Sequence, residues 1–421
     1  MQKSNYWADL IAEEIIKKRG KNHIVATGIT PSGPIHLGNI REVVTGDVVF
    51  RALVELGAEA KLIYVADTAD PLRKVYPFLP LSYERYVGMP LYRIPDPEGC
   101  HSDYTEHFLS PFLTSIEKMG IRPLVYRSHE LYEQGYFAEV ISEALLNTGK
   151  IKTILKEKTK RALPDDWMPF NVECESCHSM TKTKISEFSV DNYRINYVCD
   201  CGKTGEIDYR RGGGKLPWRI DWPARWKILN VTVEPFGKDH ATAGGSYDTG
   251  VELSKQVFNY EPPFPILYEW IYLKGKGAMA SSTGVAISIS DMLKVVPPEL
   301  IRYLILRVKP EKHIDFDPGN GLLQSIDEYQ ETERAYFGAE NTKEAYIKRA
   351  YELSQVSRVS RKLPPQVPFT HLVIACQIAG TDAKVAASIL KRSGYLIDDL
   401  NWLSRYLSYA QEWLTNYASE S

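Results

Sequence analysis

The first 66 residues alternate between strand-like and helix-like segments, and this order restricts the possible folds. Residues 22–28 form a short apolar run that is typical of a buried strand, and the glycine- and proline-rich residues 29–34 follow as a turn. A helical pattern then covers residues 36–56, and residues 61–66 form a second strand-like run. A strand, a long helix and another strand in this order predict a right-handed parallel unit.

The same alternation extends the predicted sheet along the chain. Residues 104–119, 124–126 and 136–146 indicate a helix, a strand and a helix. We therefore predict an α/β fold in which residues 1–149 form the first half of a Rossmann-like, doubly wound parallel sheet.

The sheet pattern is interrupted at residues 150–216, which we interpret as an insertion. It resumes in residues 217–296, within which residues 265–272 are predicted to form one strand. Helical periodicity then dominates residues 297–421, so we predict a C-terminal α-helical domain.

Cysteines are concentrated in the insertion. Four of the six lie there: Cys174, Cys177, Cys199 and Cys201. Two close pairs of thiolates suit a tetrahedral, structural Zn²⁺ site with no open position for catalysis. His178 could replace one ligand, whereas Cys100 and Cys376 stand alone in the sequence.

Charge and hydropathy exclude two classes of protein. The chain has 51 basic and 53 acidic side chains, a net charge of −2, so it does not bind nucleic acid by a general positive charge. No apolar run approaches the roughly 18 residues that a membrane span needs. The polar N-terminus also lacks the apolar core of a signal peptide. We therefore expect a cytoplasmic protein with no membrane partner.

The turn before the first long helix carries residues suited to phosphate binding. Residues 30–39 read Thr-Pro-Ser-Gly-Pro-Ile-His-Leu-Gly-Asn. Backbone donors and the positive end of the helix dipole favour a bound phosphate at this position. His36 and Asn39 can donate hydrogen bonds to phosphate oxygens, and Gly38 leaves room for a nucleotide. A lone histidine at a helix start is more often a helix cap.

These residues also resemble a known family. Residues 36–39 look like the HIGH signature of the class I aminoacyl-tRNA synthetases, and residues 27–42 resemble the archaeal-type class I lysyl-tRNA synthetases in particular. Further stretches share the likeness, namely residues 70–75, 94–101, 218–222, 237–240 and 366–369. The resemblance covers nearly the whole chain. It implies an enzyme that ligates L-lysine to tRNA(Lys) through a lysyl-adenylate, using ATP.

The resemblance also implies the site residues. ATP would be bound, with Mg²⁺ bridging its phosphates, by Pro31, Ser32, Gly33, His36, Gly38, Asn39, Lys238 and Asp239. The amino acid would be bound by Gly28, Thr30, Trp218, Asp221, His240 and Tyr268.

The second signature of the class, the KMSKS loop, is degraded in this chain. Residues 274–284 read Lys-Gly-Lys-Gly-Ala-Met-Ala-Ser-Ser-Thr-Gly, where two alanines and a threonine depart from the lysyl pattern. The resemblance implies these catalytic residues: His36, Asn39, Met279, Ser281 and Ser282. Lys274 or Lys276 is the candidate source of the missing positive charge.

One position separates lysine from glutamate as the substrate. Ala26 stands where the glutamyl enzymes carry an arginine for the substrate's side-chain carboxylate. Without that cation, a glutamate side chain would be buried unpaired at a cost of roughly several kcal/mol, so an ammonium fits better. The candidates for the acid that pairs with the ammonium are Asp67, Asp70, Asp221 and Glu269.

Two alternative functions stay open. One is a glutamyl-type synthetase of the same subclass, which Ala26 disfavours. The other is a paralogue that binds nucleotide or tRNA without charging it, which the degraded signature loop suggests. ATP–pyrophosphate exchange with each amino acid separates the three.

Two regions are candidate tRNA contacts. The basic residues 150–161, with Arg210, Arg211 and Lys215, form either a solvated surface or a site for the phosphates of the acceptor stem. The resemblance implies that residues 297–421 face the anticodon of the tRNA. We expect this region to be shorter than in the family, whose members usually continue into a further helical segment. The sequence does not restrict the oligomeric state.

Overall fold

The computed structural model describes residues 5–279, 286–339 and 345–418. The strands in this part of the chain are β1 (Asn22–Ile29), β2 (Glu59–Ala66), β3 (Leu124–Arg127), β4 (Asn171–Val172), β5 (Thr183–Ser189), β6 (Arg194–Cys199), β7 (Thr204–Asp208), β8 (Gly214–Lys215), β9 (Val233–Gly237), β10 (Phe264–Tyr268), β11 (Ile271–Leu273), β12 (Gly277–Ala278) and β13 (Ile314–Phe316).

The α-helices in the same residues are α1 (Trp7–Arg19), α2 (Leu37–Glu55), α3 (Tyr104–Lys118), α4 (Ser128–Glu133), α5 (Ala138–Leu146), α6 (Thr148–Thr159), α7 (Trp218–Ile228), α8 (Ser246–Gln256), α9 (Ile289–Val295), α10 (Pro298–Leu306), α11 (Asn320–Tyr336), α12 (Ala345–Ser354), α13 (Phe369–Ala379), α14 (Ala383–Arg392) and α15 (Leu400–Asn416). No helix of the described residues is long and apolar enough to span a membrane.

The central sheet is parallel and has the strand order β10-β9-β1-β2-β3. Starting at β1, the chain builds one half of the sheet through β2 and β3, and later the other half through β9 and β10. The order therefore reverses between β1 and β9. A crevice at the carboxyl ends of these strands is the expected ligand site of such a sheet. The predicted doubly wound α/β fold is confirmed.

Alternate side chains of the central strands enter two separate cores. Leu62 and Tyr64 of β2 pack with α1, α2 and the C-terminal helices. Ile63 and Val65 of the same strand pack on the opposite face with α5, α7 and α8. Because both faces are covered by helices, the strands are apolar on both sides, which explains why they are readable in the sequence as short apolar runs.

The prediction of one continuous strand over residues 265–272 is wrong. The structure divides it into β10, in the central sheet, and β11, which pairs with β12 and β13 in a second sheet. At the break, the Glu269 amide donates to the Pro310 carbonyl, and the buried Arg41 guanidinium donates to the carbonyl oxygens of Trp270 and Pro310. These bonds bend the chain out of the central sheet. The strand β13 was also not predicted within the helical region.

Residues between α6 and α7 form two small antiparallel sheets. The strands β5, β6 and β7 make one sheet, and β4 pairs with β8 in the other. Their apolar side chains share one core with the face of the central sheet that carries Ala26 and Ile63. This segment therefore packs directly beside the carboxyl ends of the central strands.

Candidate active site

The N-terminus of α2 is capped by His36. Its Nδ1 accepts a hydrogen bond from the Gly38 amide at 3.1 Å, and Oδ1 of Asn39 accepts one from the His36 amide at 3.1 Å. Burial lowers the pKa of His36 to about 4, so the ring is neutral at pH 7. Since Nδ1 accepts, the proton lies on Nε2, which remains available to donate to an anion.

A cavity of about 450 Å³, which we call the outer cavity, opens beside this helix terminus. Six of the residues predicted to bind ATP or to act in catalysis line it: Ser32, His36, Gly38, Asn39, Asp239 and Met279. Pro31 and Gly33 are instead buried in the turn after β1. Tyr76, Phe78 and Trp270 supply aromatic walls to the same cavity.

Lys238 differs from its predicted role. It does not line the outer cavity, and its Nζ lies 2.7 Å from Oε2 of Glu269 and 5.5 Å from the ring centre of Trp270. The hydrogen bond to Glu269 raises the pKa of Lys238. Lys238 and Glu269 thus neutralise each other, which also removes Glu269 from the candidates for the free acid.

The signature loop is described only in part. Met279 is buried and its Cβ approaches Gly38, while Ser281 and Ser282 lie outside the described residues. The chain beyond the loop pairs with the start of α2, because the Leu37 amide donates to the Ile287 carbonyl at 2.9 Å. One residue of the signature loop and one beyond it therefore both contact the start of α2, beside the outer cavity.

A second cavity of about 380 Å³, the inner cavity, lies on the sheet side of the first. Five of the six residues predicted to bind the amino acid line it: Gly28, Thr30, Trp218, His240 and Tyr268. Asn39, His240 and Tyr268 line both cavities, so the two spaces adjoin at these side chains. Packing also explains why residue 28 is a glycine, since a Cβ there would lie 2.5 Å from the Val65 carbonyl oxygen.

Asp221 does not line the inner cavity and is fully buried beneath it, contrary to the prediction. It bonds to Arg225 and accepts a hydrogen bond from the Tyr132 hydroxyl at 2.6 Å. The Arg225 guanidinium also lies 2.8 Å from Asp67. A carboxylate held in this way is not free to pair with a substrate ammonium.

Lys215 completes this buried ion cluster. Its Nζ lies 2.6 Å from Oδ1 of Asp67 and contacts Asp70, and its side chain is only 2% exposed. Lys215 therefore belongs neither to a solvated surface nor to a site for tRNA phosphates, the two alternatives that the sequence left open. Asp67 and Asp70 are both ion-paired within the protein, although the three carboxylates of the cluster outnumber its two cations. Lys215 and Arg225 hold the pKa of Asp67 well below its usual range, against the desolvation that would raise it, whereas desolvation and the neighbouring Asp67 raise the pKa of Asp70.

Two acids that the sequence analysis missed line the inner cavity, namely Glu42 and Glu234. Glu42 accepts hydrogen bonds from the Gly28 amide at 2.8 Å and the Tyr268 hydroxyl at 2.9 Å. Glu234 accepts them from the indole nitrogens of Trp222 and Trp226. Among the ion pairs of the described residues, neither carboxylate has a cationic partner.

Burial without a cation changes the protonation of both groups. It raises the pKa of Glu42 to about 8 and that of Glu234 to about 7, and the charge of Glu234 adds to the upward shift of the Glu42 pKa. One sequence signal pointed to Glu42. It lies three residues after Asn39, so the two share one face of α2. Nothing local marked Glu234.

The four clustered cysteines come together as predicted from their spacing. The Sγ atoms of Cys174 and Cys201 are 3.6 Å apart, and those of Cys177 and Cys199 are 3.7 Å apart. Disulfides would need about 2.05 Å, whereas Zn–S bonds of about 2.3 Å place tetrahedral ligands about 3.8 Å apart. The donor set therefore fits a zinc ion. His178 is not part of it, because its Nδ1 bonds to Glu173 at 2.8 Å.

The surface near the small sheets exposes side chains of both charges. Its exposed cationic side chains include Lys156, Lys160, Arg161, Arg210 and Arg211. Ile151, Ile154 and Leu155 of α6 pack inward. The basic residues of this helix therefore face solvent.

Comparisons with known proteins show what this chain is similar to. A family model described as class I tRNA synthetases (K) matches residues 5–357. A lysine–tRNA ligase of Methanosarcina barkeri is 50% identical over 98% of this chain and 76% of its own length. One of Archaeoglobus fulgidus is 50% identical over 99% and 81%. A solved glutamate tRNA ligase of Elizabethkingia meningosepticum aligns with 94% of this chain and 99% of its own, at 12% identity and a TM-score of 0.40.

Proposed function

The chain belongs to the family of class I tRNA synthetases (K), and on that basis we propose how its two cavities ligate L-lysine to tRNA(Lys) with ATP. The observation that carries the proposal is the pair Glu42 and Glu234. Both are half-buried carboxylates with no ion-pair partner in the described part of the chain, and both face the inner cavity. A cation bound between them removes an electrostatic cost that the free protein otherwise bears.

The lysine side chain occupies the inner cavity, with its ammonium between Glu42 and Glu234. Its methylene groups lie against the Trp218 and Trp222 rings, which are stacked 5.1 Å apart. Lysine's own carboxylate then points to Asn39, where the inner and outer cavities adjoin. This orientation brings the nucleophile to the edge of the nucleotide site.

ATP occupies the outer cavity, with its phosphates at the N-terminus of α2. Nε2–H of His36 and the Asn39 amide donate to phosphate oxygens, together with the positive end of the helix dipole. Mg²⁺ supplies further charge compensation on the phosphates. The lysine carboxylate attacks the α-phosphorus, the bond to the bridging oxygen breaks, and pyrophosphate leaves.

No general base is needed for this step, because the attacking carboxylate is already ionised. The protein contributes position and charge stabilisation. The 2′-hydroxyl of the tRNA's terminal adenosine then takes the lysyl group and AMP leaves. Met279 packs beside Gly38 at this site, and we assign the neighbouring Ser281 and Ser282 to the pyrophosphate side.

The insertion, residues 150–216, is proposed to hold a structural Zn²⁺ on Cys174, Cys177, Cys199 and Cys201. We assign its exposed basic residues to the phosphates of the acceptor stem. Residues 297–421 are proposed to face the anticodon side of the tRNA. Residues 1–149 and 217–296 form the catalytic domain in this scheme.

ATP–pyrophosphate exchange with each amino acid, run with and without tRNA, tests the proposed function. We expect exchange with lysine and none with glutamate. Exchange with glutamate would favour the glutamyl alternative. The absence of both exchange and charging would favour a paralogue that only binds nucleotide or tRNA.

A further inference from the structure

Arg41 is a buried cation whose hydrogen-bond partners are backbone carbonyl groups. It lies in the first turns of α2, two positions after Asn39, and only 1% of its surface is exposed. Burial lowers the pKa of Arg41 to about 10, which leaves the guanidinium charged at pH 7. Its carbonyl partners, at 2.6–3.3 Å, are those of Trp270, Lys309, Pro310 and Lys312. Since no carboxylate of the described residues forms an ion pair with Arg41, these carbonyl dipoles stabilise the buried charge.

The four carbonyl groups come from two segments that meet beside α2. Trp270 lies at the break between β10 and β11, and the other three carbonyl groups lie in the turn between α10 and β13. Two backbone bonds join the break to this turn. The Glu269 amide donates to the Pro310 carbonyl at 2.8 Å, and the Ile314 amide donates to the Trp270 carbonyl at 3.1 Å. Arg41 therefore holds two segments that are already joined to each other against the first turns of α2.

These connections lead to the proposed nucleotide site. His36 and Asn39, to which we assign the phosphates of ATP, lie at the start of the same helix. Trp270 forms part of the wall of the outer cavity, and its ring centre lies 5.5 Å from Nζ of Lys238. The strand β11 begins directly after Trp270 and leads into the signature loop. The bonds of Arg41 thus connect the phosphate-binding end of α2 with the cavity wall and with the strand before the loop.

We propose that Arg41 is a positioning residue for ATP, whose guanidinium fixes the Trp270 wall of the outer cavity relative to the phosphate-binding end of α2. The inference rests on the proposed binding of ATP in that cavity. A guanidinium suits this role because its planar fork presents five N–H donors at fixed angles, whereas a lysine ammonium is a compact charge with three donors. Arg41→Lys therefore keeps the charge but cannot hold all the carbonyl groups in the same arrangement.

Pyrophosphate exchange by Arg41→Lys separates a positioning role from a purely structural one. We expect kcat/KM for ATP to fall about 10- to 100-fold, since a misplacement of about 1 Å can cost about 10²-fold. The KM for lysine should stay within a factor of about three, because none of the four carbonyl groups belongs to a residue that lines the inner cavity. A kcat/KM for ATP within about threefold of wild type would overturn the proposal.

Arg51→Lys is the matched control. Arg51 also lies on α2 and also donates to two carbonyl oxygens, those of Gly120 at 3.1 Å and Gln355 at 2.9 Å, but it lines neither cavity. We expect Arg51→Lys to lower the free energy of unfolding and to keep kcat/KM for ATP within about threefold of wild type. Equal kinetic losses in Arg41→Lys and Arg51→Lys would show a general loss of structure and overturn the proposal.

A double-mutant cycle tests whether Arg41 acts through the cavity wall. Trp270→Leu and Arg41→Lys together should reduce kcat/KM for ATP by less than the product of their separate effects, because both change the same wall. Fully multiplicative effects would overturn the proposal.

Calorimetric binding of Mg-ATP without lysine separates this proposal from the proposed function. If the wild type binds ATP but exchanges no pyrophosphate with lysine, the proposed function fails, and weaker ATP binding by Arg41→Lys than by Arg51→Lys still supports the role of Arg41. If the wild type exchanges and Arg41→Lys binds ATP equally well and exchanges at the wild-type rate, only the role of Arg41 fails. Wild-type protein that binds no ATP would overturn both.

Hydrogen exchange of the wild type decides the case in which Arg41→Lys does not fold. ATP should slow the exchange of the Glu269 and Ile314 amides, whose bonds join the two segments that Arg41 holds. Unchanged exchange of both amides at saturating ATP would overturn the proposal.

Discussion

Tyr268 donates its hydroxyl to Oε2 of Glu42 over 2.9 Å, although the two residues are 226 positions apart in the chain. Glu42 lies on α2, one turn beyond Asn39, and Tyr268 ends β10. The bond therefore connects the helix that borders the outer cavity with the strand that borders the inner one. The proposed amino-acid and nucleotide sites share these two elements.

Glu42→Gln removes one of the two negative charges proposed to bind the lysine ammonium. We expect kcat/KM for lysine to fall about 30- to 1,000-fold, since losing one partner of a desolvated charge pair costs about 2–4 kcal/mol. The KM for ATP should stay within a factor of about three. Steady-state pyrophosphate exchange measures both, with the exposed Glu59→Gln as the control. An unchanged lysine KM in Glu42→Gln would refute the assignment.

The affinity for lysine should rise with pH. The pKa of Glu42 is raised to about 8 in the free protein, so the carboxylate needed to bind an ammonium forms only as the pH increases. The KM for lysine should fall more than about tenfold between pH 6 and pH 8, while lysine keeps its charge up to about pH 10.4. Glu42→Gln should weaken this dependence and leave the part that comes from Glu234, whose pKa is raised to about 7. A flat wild-type profile would contradict the raised pKa of Glu42.

The same shift makes the ligand-free protein less stable at higher pH. A carboxyl whose pKa is raised from 4.5 to about 8 by folding contributes stability that is complete below 4.5 and lost as the pH rises to about 8. Saturating lysine should offset this loss. Chemical denaturation at pH 6 and pH 8, with and without lysine, measures both effects. If lysine stabilised the protein more at pH 6 than at pH 8, the raised pKa of Glu42 would be contradicted.

His36→Ala should reduce the rate of pyrophosphate exchange by roughly 10²-fold or more, on the order of 3 kcal/mol of transition-state stabilisation. The fold should lose only about 1 kcal/mol, the usual cost of a lost helix cap. His313→Ala, at an exposed position, is the control. Exchange within about threefold of wild type would show that Nε2 of His36 does not contact phosphate.

Lys215→Met should destabilise the fold rather than weaken tRNA binding. Lys215 is buried against Asp67 and Asp70, and removing one partner of a buried ion pair costs about 3–5 kcal/mol. Lys156→Met, on the exposed face of α6, should change stability by less than about 0.5 kcal/mol. It should instead lower tRNA affinity and its salt dependence. Denaturation curves and tRNA binding at several salt concentrations would separate the structural role of Lys215 from the tRNA-binding role of Lys156. A Lys215→Met variant as stable as the wild type would contradict the structural role.

Cys177→Ser should lower the zinc content by about one ion per chain. Because the four cysteines lie at the ends of the small sheets and in the adjoining turns, and line neither cavity, pyrophosphate exchange should survive better than tRNA charging. Metal analysis with both assays on one preparation would check this. Equal losses in the two assays, in a folded variant, would mean that the cysteine site also supports the catalytic cavities.

The sequence predicted the parallel sheet well because its strands are short apolar runs that local periodicity can detect. It failed at Glu269–Trp270, where the strand is broken. The cause is Arg41, which bonds to the Trp270 carbonyl from 229 positions away and looks like an ordinary charged helix residue in the sequence. Local patterns carry no information about such a partner.

The choice of the free acid failed for a related reason. Asp67 and Glu42 carry the same charge and both lie near the phosphate-binding turn, so composition and spacing cannot rank them. What separates them is Lys215, which reaches Asp67 from 148 positions later in the chain, while no cation of the described residues reaches Glu42. Which carboxylate remains available is decided by tertiary structure.

In the proposed binding mode the inner cavity holds lysine at both ends, and this makes it a molecular ruler. The ammonium must reach Glu42 and Glu234 while the carboxylate reaches Asn39, so the number of methylene groups between them is what the protein measures. Ornithine, shorter by one methylene, can satisfy only one end, and a single methylene in a pocket is otherwise worth about 1–3 kcal/mol. Ornithine is thus rejected by the fixed distance between the two carboxylates and Asn39, and no group that recognises ornithine itself is needed.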